Sequence, residues 1–264
     1  MLMGATADGA KRLLGGMHMV GTNKSLGQHW LKNRQILEEI ADLTGGGELC
    51  VEIGPGLGFL TSSLLKRFNK VIAVEFDERL STNLPKSFPG KNLEVIHGDI
   101  LQYDFGKING SYVVAGNIPY YITSPIIEKV LRLSNLPSRV VLLVQKEVAE
   151  RIIDEKETML SLFAKNRAKV AVGPVVPREE FTPPPKVDSQ VVILEPHAPV
   201  VTDEVFYLIS QGFKAPRKKL IHNLSGIKSK EELKRVFELL KFDLNARPGD
   251  LRLADWQKLY NEMR

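Results

Sequence analysis

One short segment limits the fold more than any other. The apolar run Leu49-Cys50-Val51-Glu52-Ile53 passes directly into Gly54-Pro55-Gly56-Leu57-Gly58. A short apolar run that stops at glycines is the pattern of a buried strand, and the glycines make a tight turn. Phe59 onward then has helical spacing. A strand that feeds a helix cannot close a hairpin; it leads to a crossover, and so to a parallel sheet covered by helices.

The rest of the chain repeats this grammar. Strands are predicted at 49–53, 71–75, 93–97, 112–116 and 139–145. Helices are predicted at 33–44, with Asn33 as cap, and at 59–67, 77–83, 124–133 and 147–153, with Pro85 ending the third. Residues 169–176 and 187–194 have little helical material between them, so they read as an antiparallel hairpin at the sheet edge. After Pro196-His197-Ala198-Pro199 only helical patterns remain. Ser229 and Glu232 form a capping box, and Leu233, Val236, Phe237 and Leu240 share one face. Trp256, Leu259, Tyr260 and Met263 repeat that spacing. The expected organisation is a flexible arm over 1–22, an α/β domain over 23–198 and a small all-helical domain over 199–264.

Composition removes several classes. The 264 residues contain one cysteine, Cys50, so no intrachain disulfide and no cysteine-rich metal site can form. The five histidines show no ligand spacing, and no metal is expected. No stretch approaches the ~20 apolar residues of a membrane span, and no secretory leader is evident, which points to a reducing, cytoplasmic compartment. The net charge of +5 is unevenly spread: +4 over 1–34, −3 over 35–202 and +4 over 203–264. Basic ends around an acidic middle suit a polyanion held by the flanks; solvated charge would give the same balance.

The acidic middle also carries a ligand pattern. Glu75 ends the second strand of the alternating series, 21 positions after Gly54. A carboxylate there accepts hydrogen bonds from ribose hydroxyls. Asp99, in Gly98-Asp99-Ile100, follows the next strand and is placed to accept from an adenine amine. The turn reads Gly-x-Gly-x-Gly behind an acid, Glu52, rather than the spacing that cradles a pyrophosphate. S-adenosylmethionine has a sulfonium and an ammonium but no phosphate. The pattern therefore favours methyl transfer over hydride transfer, with a nicotinamide oxidoreductase as the alternative.

The fourth of these strands ends in Asn117-Ile118-Pro119-Tyr120. The exocyclic amine of adenine is a poor nucleophile, because its lone pair is delocalised into the ring. Acceptors facing its N–H bonds, here the Asn117 side-chain oxygen and the Ile118 carbonyl, disfavour that planarity and aim the lone pair. Pro119 stiffens the turn and Tyr120 offers a face to an extruded base. A plain structural turn would show the same four residues. In Phe181-Thr182-Pro183-Pro184-Pro185-Lys186-Val187-Asp188-Ser189 a stiff proline run could hold Phe181 opposite Tyr120, or serve only as a connector. Lys214-Ala215-Pro216-Arg217-Lys218-Lys219-Leu220 has four basic residues and no acid. With Pro216 in a first helical turn, Arg217, Lys218 and Lys219 would meet phosphates while Leu220 and Leu224 pack inward; a solvated face is the alternative.

Together these segments resemble the ribosomal RNA adenine dimethyltransferase family of small-subunit maturation (KsgA-type). The resemblance runs from about Lys24 to Tyr260. It rests on Ser25-Leu26-Gly27-Gln28-His29-Trp30-Leu31, residues 51–58, Glu75, Gly98-Asp99, 116–120, Gln145-Lys146-Glu147-Val148-Ala149, 181–189 and 213–224. It implies a Rossmann-like class I methyltransferase sheet and S-adenosylmethionine as cofactor. The implied reaction converts two adjacent adenosines near the 3′ end of small-subunit ribosomal RNA to N6,N6-dimethyladenosine, in an immature subunit; a monomer that does not engage membranes is expected. By motif match, Gln28, Leu31, Gly54, Glu75, Asp99 and Asn117 would contact the cofactor. Asn117 and Tyr120 would hold the target base, with Phe181 as a second wall, and the helical tail would meet RNA. Two alternatives remain: a relative that methylates large-subunit RNA and confers macrolide resistance, and a non-catalytic assembly factor. Two departures stand out. Trp30 replaces the usual Phe, and the stretch 154–161 lacks the usual Tyr-Gly-Arg-Leu-Ser pattern, with Thr158-Met159-Leu160-Ser161 in its place.

Overall fold

The computed structural model describes residues 28–264. The expected arm over 1–22 and the motif residues Ser25, Leu26 and Gly27 lie outside them.

The chain enters through β1 (Trp30–Leu31) and α1 (Arg34–Leu43). Asn33 caps α1, its side chain accepting from the amides of Gln35 and Ile36, which supplies acceptors for otherwise orphaned helix donors. The alternating part follows as β2 (Gly47–Ile53), α2 (Phe59–Leu64), β3 (Phe68–Glu75), α3 (Glu78–Asn83), β4 (Leu93–His97), β5 (Val113–Asn117), α4 (Thr123–Leu131), β6 (Arg139–Gln145) and α5 (Lys146–Ile153). Then come α6 (Met159–Arg167), β7 (Ala168–Val176), β8 (Phe181–Thr182) and β9 (Ser189–Pro196). Seven strands form one sheet in the order β4-β3-β2-β5-β6-β9-β7. The pairs among β2 to β6 are parallel, and β9 runs antiparallel to both β6 and β7. The expected edge hairpin is present, with its second strand inserted inside its first.

Side chains alternate between the faces, as the two-residue period of a strand requires. Val51, Ile53, Val114, Val140, Leu142 and Val144 belong to one core, together with α4 residues Ile126, Ile127 and Val130. Cys50, Val113, Ala115, Val141 and Leu143 belong to the other, with Leu37 and Ile40 of α1 and Leu60 and Leu64 of α2. The helices thus cover both faces, which leaves the carboxyl ends of the strands as the open edge of the sheet. That edge is where such sheets bind ligands.

Residues beyond Val201 add only helices: α7 (Asp203–Gly212), α8 (Leu220–Leu224), α9 (Lys230–Leu240) and α10 (Leu253–Glu262). The Ser229–Glu232 capping box is formed. Trp256, Phe237, Leu233, Leu220 and Leu224 are fully buried in a third core.

The sequence pattern did not predict α6. Leu162 packs into the helical core while Phe163 and Ala164 pack under the sheet. A helix buried on both sides has no one-sided apolar stripe to read. Its start is set by a capping box between Thr158 and Ser161, within the stretch that departs from the family pattern.

Candidate active site

The glycine turn builds the floor of the site. Gly54, Gly56 and Gly58 have φ of 62°, 58° and 82°, the left-handed region that side chains with a Cβ avoid. This turns the Gly56 amide toward the end of β3, where it donates to Glu75 Oε2 at 2.9 Å. The Asp77 amide donates to Glu75 Oε1 at 2.9 Å. Glu75 is 6% exposed. Burial pushes its pKa up, against the two amides that favour the charged form. Asp77 in turn is held to about 2 by Arg79, with support from Gln28. Gln28 Nε2 donates to Asp77 Oδ2 at 3.2 Å.

Glu52 behaves differently. Its carboxyl is 1% exposed and accepts from Thr61 Oγ1 at 2.6 Å. Burial pushes its pKa up to about 8, with the nearby Glu75 charge adding to the rise. The acid read as a complement to a cationic ligand is therefore mainly neutral at pH 7 in the free protein. Asp99 is oriented by the Leu101 amide, which donates to Oδ1 at 2.8 Å.

At the end of β5, Asn117 Nδ2 donates to the His29 carbonyl at 3.1 Å. A carbonyl only accepts, so this contact fixes the amide orientation and assigns Oδ1 as the acceptor at the site. The Tyr120 hydroxyl shares a 2.7 Å hydrogen bond with Ser189 Oγ, which ties the aromatic ring to the start of β9. Burial raises the Tyr120 pKa, so the hydroxyl stays protonated. The His29 ring lies 6.1 Å from that of Tyr120, at 17° between planes. His29 Nδ1 donates to the Pro183 carbonyl at 2.7 Å.

Gln28, Leu31, Gly54, Glu75, Asp99, Asn117, Ile118, Pro119 and Tyr120 all line one cavity of about 250 Å³. Two of the remaining expectations are corrected. Phe181 is not among the residues that line this cavity: it is 2% exposed and belongs to the core that includes Leu31, Leu37 and Leu60. Its strand β8 pairs with β1, placing Phe181 beside Leu31. Pro216 does not open a helix. Arg217, Lys218 and Lys219 are exposed in an irregular turn before α8. The Asn223 amide steadies that turn by donating to the carbonyls of Gly212 and Ala215. Leu220 and Leu224 do pack inward.

Among the cavity residues that sequence reasoning did not name for the site are Phe76 and Tyr121. Phe76 and Tyr121 are 59% and 65% exposed. Each follows a residue that was singled out, which was the available signal.

The family model described as ribosomal RNA adenine dimethylase matches residues 19–264. The chain is 37% identical to ribosomal RNA small subunit methyltransferase A of Thermosynechococcus vestitus over 262 residues, covering 93% of this chain and 98% of that protein. It is also 37% identical to the protein of that name from Synechocystis, covering 90% and 95%. Among solved structures, a dimethyladenosine transferase from Plasmodium falciparum superposes with a TM-score of 0.74 at 31% identity, covering 88% of this chain and 98% of that one. The 23S rRNA methyltransferase ErmE superposes with a TM-score of 0.73 at 22% identity, covering 89% and 99%, a likeness of fold. With a matched model that spans nearly the whole chain, over a cavity built from the motif residues, this protein belongs to the ribosomal RNA adenine dimethylase family.

Proposed function

We propose that this protein dimethylates N6 of two adjacent adenosines near the 3′ end of small-subunit ribosomal RNA, acting as a cytoplasmic monomer on an immature subunit. The observation that carries the reading is the fixed Asn117 amide, in the lining of a cavity that also holds Glu75 and Asp99.

The residues present fit S-adenosylmethionine, the cofactor of this family. No lysine or arginine among the described residues lines the cavity, which disfavours a pyrophosphate. The carboxylates of Glu75 and Asp99 suit ribose hydroxyls and an adenine amine. When bound, the cofactor supplies an electrophilic methyl group. The protein's part is placement. Asn117 Oδ1 and the Ile118 carbonyl accept from the adenine N–H bonds and turn the lone pair toward the donor. Tyr120 supports the base by stacking, worth ~1–3 kcal/mol. Positioning of this kind needs no general base tuned to neutral pH.

RNA affinity comes from the helical part. Arg217 and Lys218 are exposed and form no ion pair among the described residues. Unpaired surface cations are available to phosphates.

The large-subunit reading is supported only by the likeness of fold to ErmE. The relatives at 37% identity, both named for the small subunit, favour the first. Incubation of the protein and S-adenosylmethionine with unmodified small and large subunits in parallel separates the readings. Transfer to the small subunit supports the proposal. Transfer to the large subunit alone, or to neither, overturns it.

A further inference from the structure

Trp30 carries a polar atom that the fold leaves without a partner. Its indole Nε1 is buried and has no hydrogen-bond acceptor, and the residue stands in the wall of the cavity. Buried donors are almost always paired, so an orphan at a ligand site indicates that the ligand supplies the acceptor. Trp256 Nε1 is also unpaired, but that ring lies within the helical core, where no such cavity explains it.

The location narrows the acceptor. The Cδ1–Nε1 edge of Trp30 faces the glycine turn: a Cβ on Gly56 would lie 3.4 Å from both atoms. The preceding residue, His29, holds the Asn117 amide. Trp30 is therefore placed by the turn after β2 and the end of β5. In the sheet order β4-β3-β2-β5 that is two strands from Asp99, which follows β4. A cofactor with its adenine at Asp99, its ribose at Glu75 and its methyl group toward Asn117 brings its methionine arm to this end. The carboxylate of that arm is the ligand's one anionic group. No cationic side chain among the described residues lines the cavity, so N–H dipoles must hold it.

We propose that the Trp30 indole N–H donates a hydrogen bond to the carboxylate of the cofactor's methionine arm. The inference rests on the S-adenosylmethionine reading of the cavity. Trp30 is then a cofactor-binding residue beyond those expected from the motif match.

Two ligands and one conservative variant test it by calorimetry. S-adenosylhomocysteine carries the carboxylate; 5′-methylthioadenosine has the nucleoside and sulfur but no amino-acid arm. Trp30→Phe keeps a ring over Gly56 and removes the N–H. It is expected to bind S-adenosylhomocysteine about 10- to 100-fold more weakly than the parent, the range for a hydrogen bond to a charged group. Its affinity for 5′-methylthioadenosine is expected to be unchanged. Equal losses for both ligands, or no loss for either, overturn the inference. The unaltered protein gives a second readout. It has two tryptophans, and the Trp30 indole proton resonance should move downfield with S-adenosylhomocysteine and hold its position with 5′-methylthioadenosine. A resonance that ignores both ligands contradicts the assignment. If the parent protein binds neither ligand, the cofactor reading itself fails, an outcome distinct from binding that Trp30→Phe leaves intact.

Discussion

Asn117 has two tasks through one amide. Its nitrogen is spent on the His29 carbonyl, which leaves its oxygen as the acceptor that the proposed reaction needs. Asn117→Ala removes the acceptor but no charge, so turnover should fall about 100-fold or more, the scale for one preorganised polar contact at a reacting centre. RNA affinity should hardly change, and single-turnover kinetics with a filter-binding titration check the split; equal losses in both would contradict the role. Glu52 predicts a pH effect. Its carboxyl titrates at about 8 in the fold, above the unfolded value. The proton is held more tightly by the native state, so this stabilisation is full below about 4.5 and lost as pH rises toward about 8. Glu52→Gln keeps an acceptor for Thr61 and removes the titration. Urea midpoints between pH 5 and 8 should decline less in the variant than in the parent. Glu75, Asp99 and Asn117 were legible in the sequence because strand ends are legible and parallel strands end at one edge. Phe181 was not, because its two-residue strand is too short to show which face its ring takes. The assignment of that ring to the cavity wall failed for this reason.

At the scale of elements, the stretch that departs from the family pattern joins the two parts of the molecule. The Glu157 amide donates to the Gly249 carbonyl at 2.8 Å. The approach is close: a Cβ at Gly249 would come within 2.6 Å of the Glu157 carbonyl oxygen. Lys165 Nζ donates to both Glu157 carboxylate oxygens, at 2.8 and 2.9 Å, and Ser161 Oγ donates to it at 2.6 Å. Glu157 is 4% exposed and Lys165 27% at the side chain, so removing the cation leaves a buried charge half-satisfied. Lys165→Met should cost about 2–3 kcal/mol, less than a fully buried pair because Lys165 retains some water. Calorimetry should show a melting temperature lower by roughly 5–10 °C; an unchanged melting temperature would mean that the pair contributes nothing. Elements with one buried face, such as α1 and α9, could be read from spacing. Helix α6 could not, since it is buried from two sides.

The whole molecule separates two electrostatic tasks. The −3 middle of the chain contains the cavity residues Glu52, Glu75 and Asp99, and the +4 tail presents cations to solvent. Arg217, Lys218 and Lys219 do this from a turn, not from the helix their spacing suggested. Replacing all three by alanine should weaken RNA binding and flatten its salt dependence by about 2 units of log–log slope, at ~0.7–0.9 per phosphate contact. An unchanged slope would leave the turn as ordinary solvated surface. The sheet order was not legible in the sequence, because crossovers fix handedness but not which strand inserts beside which; β9 between β6 and β7 is set by tertiary pairing. The claim that joins cavity, acceptor and tail is the reaction itself. Its most direct test is nucleotide-resolution mapping of methylated adenosines after the protein and S-adenosylmethionine have acted on small subunits lacking the modification. N6,N6-dimethyladenosine at two adjacent positions near the 3′ end of the small-subunit RNA is the expected result. Methyl groups elsewhere, or none at all, would contradict the account.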